Sequence, residues 1–310
     1  MNWQKLGLIF DVSQHAGASW FANSALTPQP VVIDDKIRVY AGFRDSAGAS
    51  RIGYVDLDKS NPARILGVSE KPVLDLGRDG CFDDNGVIMG DVVHTEDGVH
   101  LFYVGFQLVK KAKFLAFSGV AISKDGGDSF TRLSEAPILD RAPSQTTIGA
   151  IHTARFENGV WRLWFARGDG WEIINGVPYP QYHICYTETN DLLNIPRNAI
   201  TCVVADYPEY RIGRPKVYRL EDGTYMMLAT KGTIGGDYTP SLFTSKDGIV
   251  WDRHPDKEVG LPLSASGWDS ETLCYPALVN NGDHTLAIYN GNSMGLHGFG
   301  GATTRDIVLG

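Results

Sequence analysis

Runs of alternating apolar and polar residues, each broken by a short polar turn, recur along the chain at intervals of about sixty residues, a period in the range of repeat architectures. The turns fall at Asp34-Asp35, Asp97-Gly98, Asn158-Gly159, Asp222-Gly223 and Gly282-Asp283. Asn-Gly, Asp-Gly and their relatives supply the positive φ that a tight hairpin needs. Their flanks are β-branched and aromatic, as in Arg38-Val39-Tyr40, Leu101-Phe102-Tyr103 and Arg162-Leu163-Trp164. Each copy predicts a strand, a turn and a second strand. A third strand follows each hairpin, at residues 50–56, 118–126, 182–188, 240–248 and 298–304. Outer strands are drawn at residues 64–68 and 199–204.

After the fifth repeat no outer strand remains, whereas residues 6–10, Leu-Gly-Leu-Ile-Phe, are apolar and otherwise unpartnered. The pattern predicts that this first strand completes the last sheet. The fold expected is all-β, a five-bladed β-propeller in one domain over residues 1–310, its ring closed by the N-terminal strand so that no sheet edge is left open. The 35 glycines agree, and no stretch carries a 3.6-residue apolar period over ten or more positions, so any helix should be a short turn. Trp161 and Trp164, at sheet spacing, are expected in the core.

Charge and composition narrow the function. A net charge of −8 excludes the basic footprint that nucleic-acid binding requires. Lys110, Lys111 and Lys113 read as a solvated loop. No charged-then-apolar leader is visible and no apolar run approaches the roughly 20 residues that span a bilayer, so the expectation is a cytoplasmic protein with no membrane span. Cys81, Cys185, Cys202 and Cys274 have no metal spacing and read as free thiols. His15, His94, His152 and His183 are scattered, with no metal-ligand pattern. No cofactor is required by any motif, and oligomeric state is not legible.

In a propeller whose first strands line the channel, the segments entering those strands and the loops joining strands two and three open on one face. Loops on a rigid scaffold carry function disproportionately. The entering segments hold Asn23; Asp83, Asp84 and Asn85; Ser144 and Gln145; Glu209, Arg211 and Arg214; and Trp268, Asp269 and Glu271, with Tyr275 just beyond. The connecting loops add Arg44 and Asp45, Trp171 within residues 167–172, Lys231, Asn290, Asn292 and His297. Carboxylates and amides bind hydroxyls directionally, and an aromatic ring stacks on the apolar face of a pyranose. A small-molecule sugar or glycoside is thus the leading ligand. Arg211 and Arg214 beside Glu209 add the means to grip a carboxylate or phosphate. Asp84 and Asp269 with waters offer a place for a Ca²⁺ in the channel, though nothing requires one.

Arg44-Asp45, residues 50–54, Phe82-Asp83-Asp84-Asn85-Gly86, Gly213-Arg214-Pro215, Gly267-Trp268-Asp269-Ser270-Glu271 with Tyr275-Pro276, and Tyr289-Asn290-Gly291-Asn292 together resemble five-bladed propeller proteins. Those proteins are similar to the superfamily of glycoside hydrolase families 32, 43, 62, 68 and 130. The resemblance implies the five-bladed fold and glycosidic-bond chemistry. It implies an Asp as general base on blade one, an orienting Asp on blade two and a Glu as general acid further round. Asp84 matches the second position. The segment entering blade one offers Asn23 and Ser24, with Asp11 too far upstream to assign, and the blade-three segment has Gln145, Thr146 and Thr147.

The remaining acids are Glu209, Asp269 and Glu271. A glycosidase places two carboxyl groups about 5–5.5 Å apart for retention or roughly 6.5–9.5 Å apart for inversion. The expected pair is Glu271 as general acid, its proton held by channel burial and neighbouring carboxylates, with Asp84 as base or nucleophile. Glu209 is a further catalytic candidate. Two other readings stand beside this one. A non-catalytic carbohydrate-binding propeller would explain the absent blade-one Asp and blade-three Glu. A phosphate-dependent glycoside phosphorylase would use Arg211, Arg214 or Lys231 to hold the anion.

Overall fold

Strand formation follows the alternation, and the polar turns stand where φ is positive. The computed structural model describes residues 1–143 and 145–310; Ser144, in the segment before the third hairpin, lies outside the described residues. The chain begins with β1 (Gln4–Asp11). A first four-stranded antiparallel sheet takes β2 (Asn23–Ile33), β3 (Lys36–Arg44), β4 (Ser50–Asp58) and β5 (Ile65–Val68) in sequence order. Two further antiparallel meanders follow. They are β6 (Val87–Thr95), β7 (Gly98–Gln107), β8 (Leu115–Ser123) and β9 (Thr131–Arg132), then β10 (Ile148–Glu157), β11 (Val160–Ile174), β12 (Val177–Thr189) and β13 (Ile200–Val203). A short parallel pairing of Ile148 with Ala116 and Gly149 with Phe117 joins them into one eight-stranded sheet.

The next sheet runs β14 (Glu209–Arg219), β15 (Tyr225–Thr233), β16 (Tyr238–Ser245) and β17 (Asp252–Arg253). The last is β18 (Cys274–Asn281), β19 (His284–Asn290) and β20 (Gly298–Thr304), and its fourth member is β1, antiparallel to β20 from Gln4↔Thr303 to Asp11↔Gly298. All five hairpins and the partnership of the first strand with the last sheet are present as the sequence predicts. Gly298 is required there: at φ +119 its missing Cβ would run into the Phe10 carbonyl oxygen. The short helical element Asn292–Gly295 is a turn in which Ser293 and Met294 have φ of 55 and 54.

The chain divides into two compact units. Unit 1 is Met1–Pro72, Lys216–Thr230 and Tyr238–Gly310; unit 2 is Val73–Pro215 and Lys231–Asp237. In unit 1 the ring of Phe10 lies 5.3 Å from Phe299 and 6.0 Å from Phe43, among fully buried Ile37, Val39, Val55, Leu57, Leu286 and Ile288. In unit 2 Trp161 packs on Phe102 at 5.4 Å and Trp164 is fully buried, so both tryptophans are core as expected.

One expectation changes. Residues 167–172, expected as a connecting loop, lie within β11, which runs antiparallel to β12 out to Ile174 and turns at Asn175-Gly176 with φ of 51 and 78. A bulge between Arg167 and Gly170 lets the strand continue past the polar Gly-Asp-Gly. None of the four cysteines is in a disulfide among the described residues, and Cys185 and Cys274 are buried. Among the described residues, no helix is long and apolar enough to cross a membrane.

Candidate functional site

In unit 1 the loop before β18 is pinned by one amide. Asn292 Oδ1 accepts from the backbone NH groups of Glu271 (2.8 Å) and Thr272 (3.0 Å), and its Nδ2 donates to Gly267 O (2.9 Å). The Asn292 backbone NH donates to Trp268 O (2.7 Å). Trp268 stacks on Tyr289 at 5.1 Å and 23°, a ring fixed from behind. Beside this loop is a cavity of about 510 Å³ lined by Asp11, Asn23, Trp268, Asn292, His297 and apolar Leu8, among others. Four residues picked from three separate stretches of sequence thus share one cavity.

Asp11 is the member that the sequence reading set aside. Its Oδ1 accepts from Ser13 N (2.9 Å) and Ser13 Oγ (2.7 Å), bonds that hold its carboxyl below the usual range, with a smaller contribution from His297. The signal that would have found it was the first strand's pairing: once β1 is laid along β20, its last residue arrives beside Gly298 and the 292–297 turn.

Glu271 lies at the lip of this loop. Its side chain is exposed, so the burial expected to hold its proton is absent, and among the described residues its carboxylate has no hydrogen-bond or ion-pair partner. Arg44, at the end of β3 and opposite Asn23 in the register, is likewise exposed. Tyr275, left-handed at φ 59, places its hydroxyl 2.8 Å from that of Tyr238.

Several expected ligand groups in unit 1 hold the fold instead. Asp269 is 2% exposed; it pairs with Lys5 at 2.7 Å and accepts from Tyr289 Oη at 3.1 Å. Burial pushes its carboxyl up, but the Lys5 and Ser264 bonds and the Lys5 charge outweigh this and leave it lowered. Asp45 pairs with Arg51 at 2.7 Å and caps its own turn through Ala47 N and Ala49 N. Asn290 is fully buried, accepting from Thr27 N and donating to Ala25 O and Gly298 O, each at 2.8 Å. None of these three presents an uncommitted group to a ligand.

Unit 2 repeats the theme. Asp83 is fully buried and ion-paired to Arg132 at 2.7 Å, which corrects its assignment to a binding surface. Asp84 accepts from Gly80 N (2.9 Å) through Oδ2, while its Oδ1 is buried with no hydrogen-bond partner. Asn85 Oδ1 accepts from Leu108 N, tying two loops. Glu209 lies 3.7 Å from Lys231 Nζ. Arg214, 5% exposed and left-handed at φ 51, donates to Met89 O (2.8 Å). Arg211 sits 4.9 Å from the Tyr210 ring centre and 5.9 Å from those of Tyr179 and Tyr182. Burial pushes the Tyr210 hydroxyl up to about 12. Trp171 is half-buried in β11 with its ring edge-on to Phe114 at 5.4 Å, and so is a strand residue rather than a loop platform. Among the described residues, no group of three or more His, Cys, Asp or Glu is arranged to hold a metal ion.

No family model matches the chain. It is 31% identical over 320 aligned residues to the uncharacterized protein Rv1502 of Mycobacterium tuberculosis strain H37Rv, covering 99% of this chain and 100% of that one. Solved structures with a similar fold include a glycoside hydrolase (TM-score 0.72, 15% identity, 99% of this chain and 92% of that one). A thermostable family-43 glycoside hydrolase is similar at a TM-score of 0.64 and 13% identity, over 95% of this chain and 94% of the other. A third comes from work describing glycoside hydrolases within the GH130 mannoside phosphorylases that target β-1,2 mannosidic linkages in Candida mannan (TM-score 0.66, 14% identity, 98% and 94% covered). At these identities the likeness is one of fold.

Proposed function

The chain belongs to the same family as mycobacterial Rv1502, and from that premise we propose that it is a glycosidase or related glycosyl-transferring enzyme on a five-bladed propeller. The five four-strand groupings are its blades, and the β1–β20 pairing is the closure of its ring. The observation that carries the catalytic reading concerns which acids are left over. Of the carboxylates in the entering segments and connecting loops, Asp45, Asp83, Asp269 and Glu209 each have a cationic partner within 4 Å. Among the described residues neither Glu271 nor Asp84 has one; Asp84 Oδ1, like Asp83 Oδ1, is also without a hydrogen-bond partner. Buried acids locked to cations make structure; acids left unlocked are available for proton transfer.

Glu271 is assigned the proton donor and Asp84 the base or nucleophile. The cavity beside Glu271 supplies what a sugar needs: amides of Asn23 and Asn292 for hydroxyls and the indole of Trp268 for a pyranose face. Glu271→Gln keeps shape and loses the acid, so turnover of glycosides with poor leaving groups should fall by about 10²-fold or more. Aryl glycosides with good leaving groups need little protonation and should be affected far less. Asp84→Asn should slow both kinds. Full activity of Glu271→Gln on a poor leaving group overturns the donor assignment.

A binding module is the second reading, and Asn23 favours it, since an amide stands where a blade-one Asp would act as base. Sugar binding by wild-type protein without turnover on a broad glycoside panel would establish it.

A further inference from the structure

Arg44 stands apart from the ion-paired cations of unit 1. Arg38, Lys36, Lys5, Arg51, Arg64 and Arg305 all lie within 3.2 Å of a carboxylate oxygen. Arg44 has no hydrogen bond or ion pair from its guanidinium to any described residue, in a chain whose acids outnumber its lysines and arginines by 36 to 28. Nor is it a side chain waving in open water. It is exposed, yet the protein around it removes enough solvent to draw its pKa down, and among the described residues no carboxylate acts on its charge; the phenol of Tyr275 does so weakly. A guanidinium that is partly desolvated and unneutralised gains from the arrival of an anion.

Its surroundings are built. β3 delivers Arg44 directly opposite Asn23, which lines the 510 Å³ cavity. Tyr275 is fixed by its left-handed backbone, by Thr230 Oγ1 accepting its NH at 3.0 Å, and by its hydroxyl contacts to Tyr238 (2.8 Å) and Met294 Sδ (3.7 Å). The 292–295 turn that carries Met294 also carries Asn292 of the cavity wall. A carbohydrate group and an anion group are therefore held on one stretch of unit 1. The arginines that the sequence favoured for this task, Arg211 and Arg214, are engaged with tyrosine rings and with Met89 O.

We propose that the substrate is an acidic sugar whose carboxylate or phosphoryl group is gripped by Arg44, with the Tyr238–Tyr275 hydroxyl pair beside it. This rests on the reading of the neighbouring cavity as a sugar site. Arg44 is a specificity-determining residue: it selects the anionic sugar over the neutral one, and its planar fork suits either oxyanion bidentately.

The test is binding without turnover. Glucose, glucuronic acid and glucose 6-phosphate are titrated into wild-type protein by calorimetry or ligand-observed NMR, together with Arg44→Gln, Arg44→Lys and, as a charge control at an exposed ion pair, Arg64→Gln. One of the acidic probes should bind about tenfold or more tighter than glucose. Whichever acid shows the preference identifies carboxylate or phosphoryl as the natural group. Arg44→Gln should abolish the preference, Arg44→Lys should keep the charge but lose much of the bidentate gain, and Arg64→Gln should leave it intact. Equal binding of acid and neutral sugar, binding of neither acid, or an acid preference that survives Arg44→Gln overturns the proposal. The Arg44 guanidinium makes no hydrogen bond or ion pair to the described residues, so the variants should fold; their melting temperatures check this. A protein that binds the acid through Arg44 and cleaves nothing loses the glycosidase reading and keeps this inference. One that cleaves neutral glycosides does the reverse.

Discussion

The loop before β6 and the loop before β18 solve the same problem with the same end of an acidic pair. In the first, Asp83 is fully buried against Arg132 and Asp84 keeps a free oxygen. In the second, Asp269 is buried against Lys5 and Glu271 is exposed and unpartnered. One acid of each pair anchors its loop to a neighbouring strand, and the acid one or two residues on is left without a cation, buried at Asp84 Oδ1 and exposed at Glu271. An acid-rich loop is thus no direct count of available carboxylates, since half of these acids are scaffold.

The sharpest way to break this comparison is at the anchors. Asp83→Ala strands Arg132 beside a buried void, and removing one partner of such a pair costs about 3–5 kcal/mol. Urea unfolding should show a lowered midpoint at unchanged slope, and a loss below about 1 kcal/mol would mean that the pair anchors nothing. A smaller, pH-dependent effect belongs to Asp269, whose folded carboxyl is lowered. A lowered acid contributes stability above its unfolded value, near 3.8, and loses it as pH falls through the folded value. Wild-type stability should therefore drop below about pH 4, and Asp269→Asn, already weaker at pH 7, should have a flatter profile there. The smallest effect is expected at the free acid: Glu271→Gln should change stability by no more than about 0.5 kcal/mol, as exposed, unpartnered side chains do. A large loss would move Glu271 into the scaffold class.

The strand plan was legible because alternation and Asn-Gly or Asp-Gly turns are local signals, and local physics decides hairpins. Even the non-local partnership of residues 6–10 could be read, since an apolar strand without a neighbour and a sheet without an outer strand imply each other. Asn175-Gly176 was equally local, but the Gly168-Asp169-Gly170 upstream reads as a loop, and only tertiary pairing across a bulge shows that β11 continues through it. The site was legible by residue type and not by role. Asp83 and Asp84 are adjacent and chemically alike, and what separates them is Arg132, 49 positions away. Asn290 and Asn292 are similarly close; three backbone partners claim the first, while the second shapes a cavity wall. Asp11 went unassigned because its neighbours come from the other end of the chain.

That last point bears on how the molecule is made. β1 leaves the ribosome well before its partner β20, which lies roughly 290 residues downstream. Closing so long a segment costs about 3 kcal/mol more in chain entropy than closing a hairpin of some ten residues. Until then Leu6, Leu8, Ile9 and Phe10 wait as an unpaired apolar edge, the kind of surface that recruits chaperones or aggregates. The seam that completes the last sheet is therefore also the last to be sewn, and the interval before it is the vulnerable period of the protein's life.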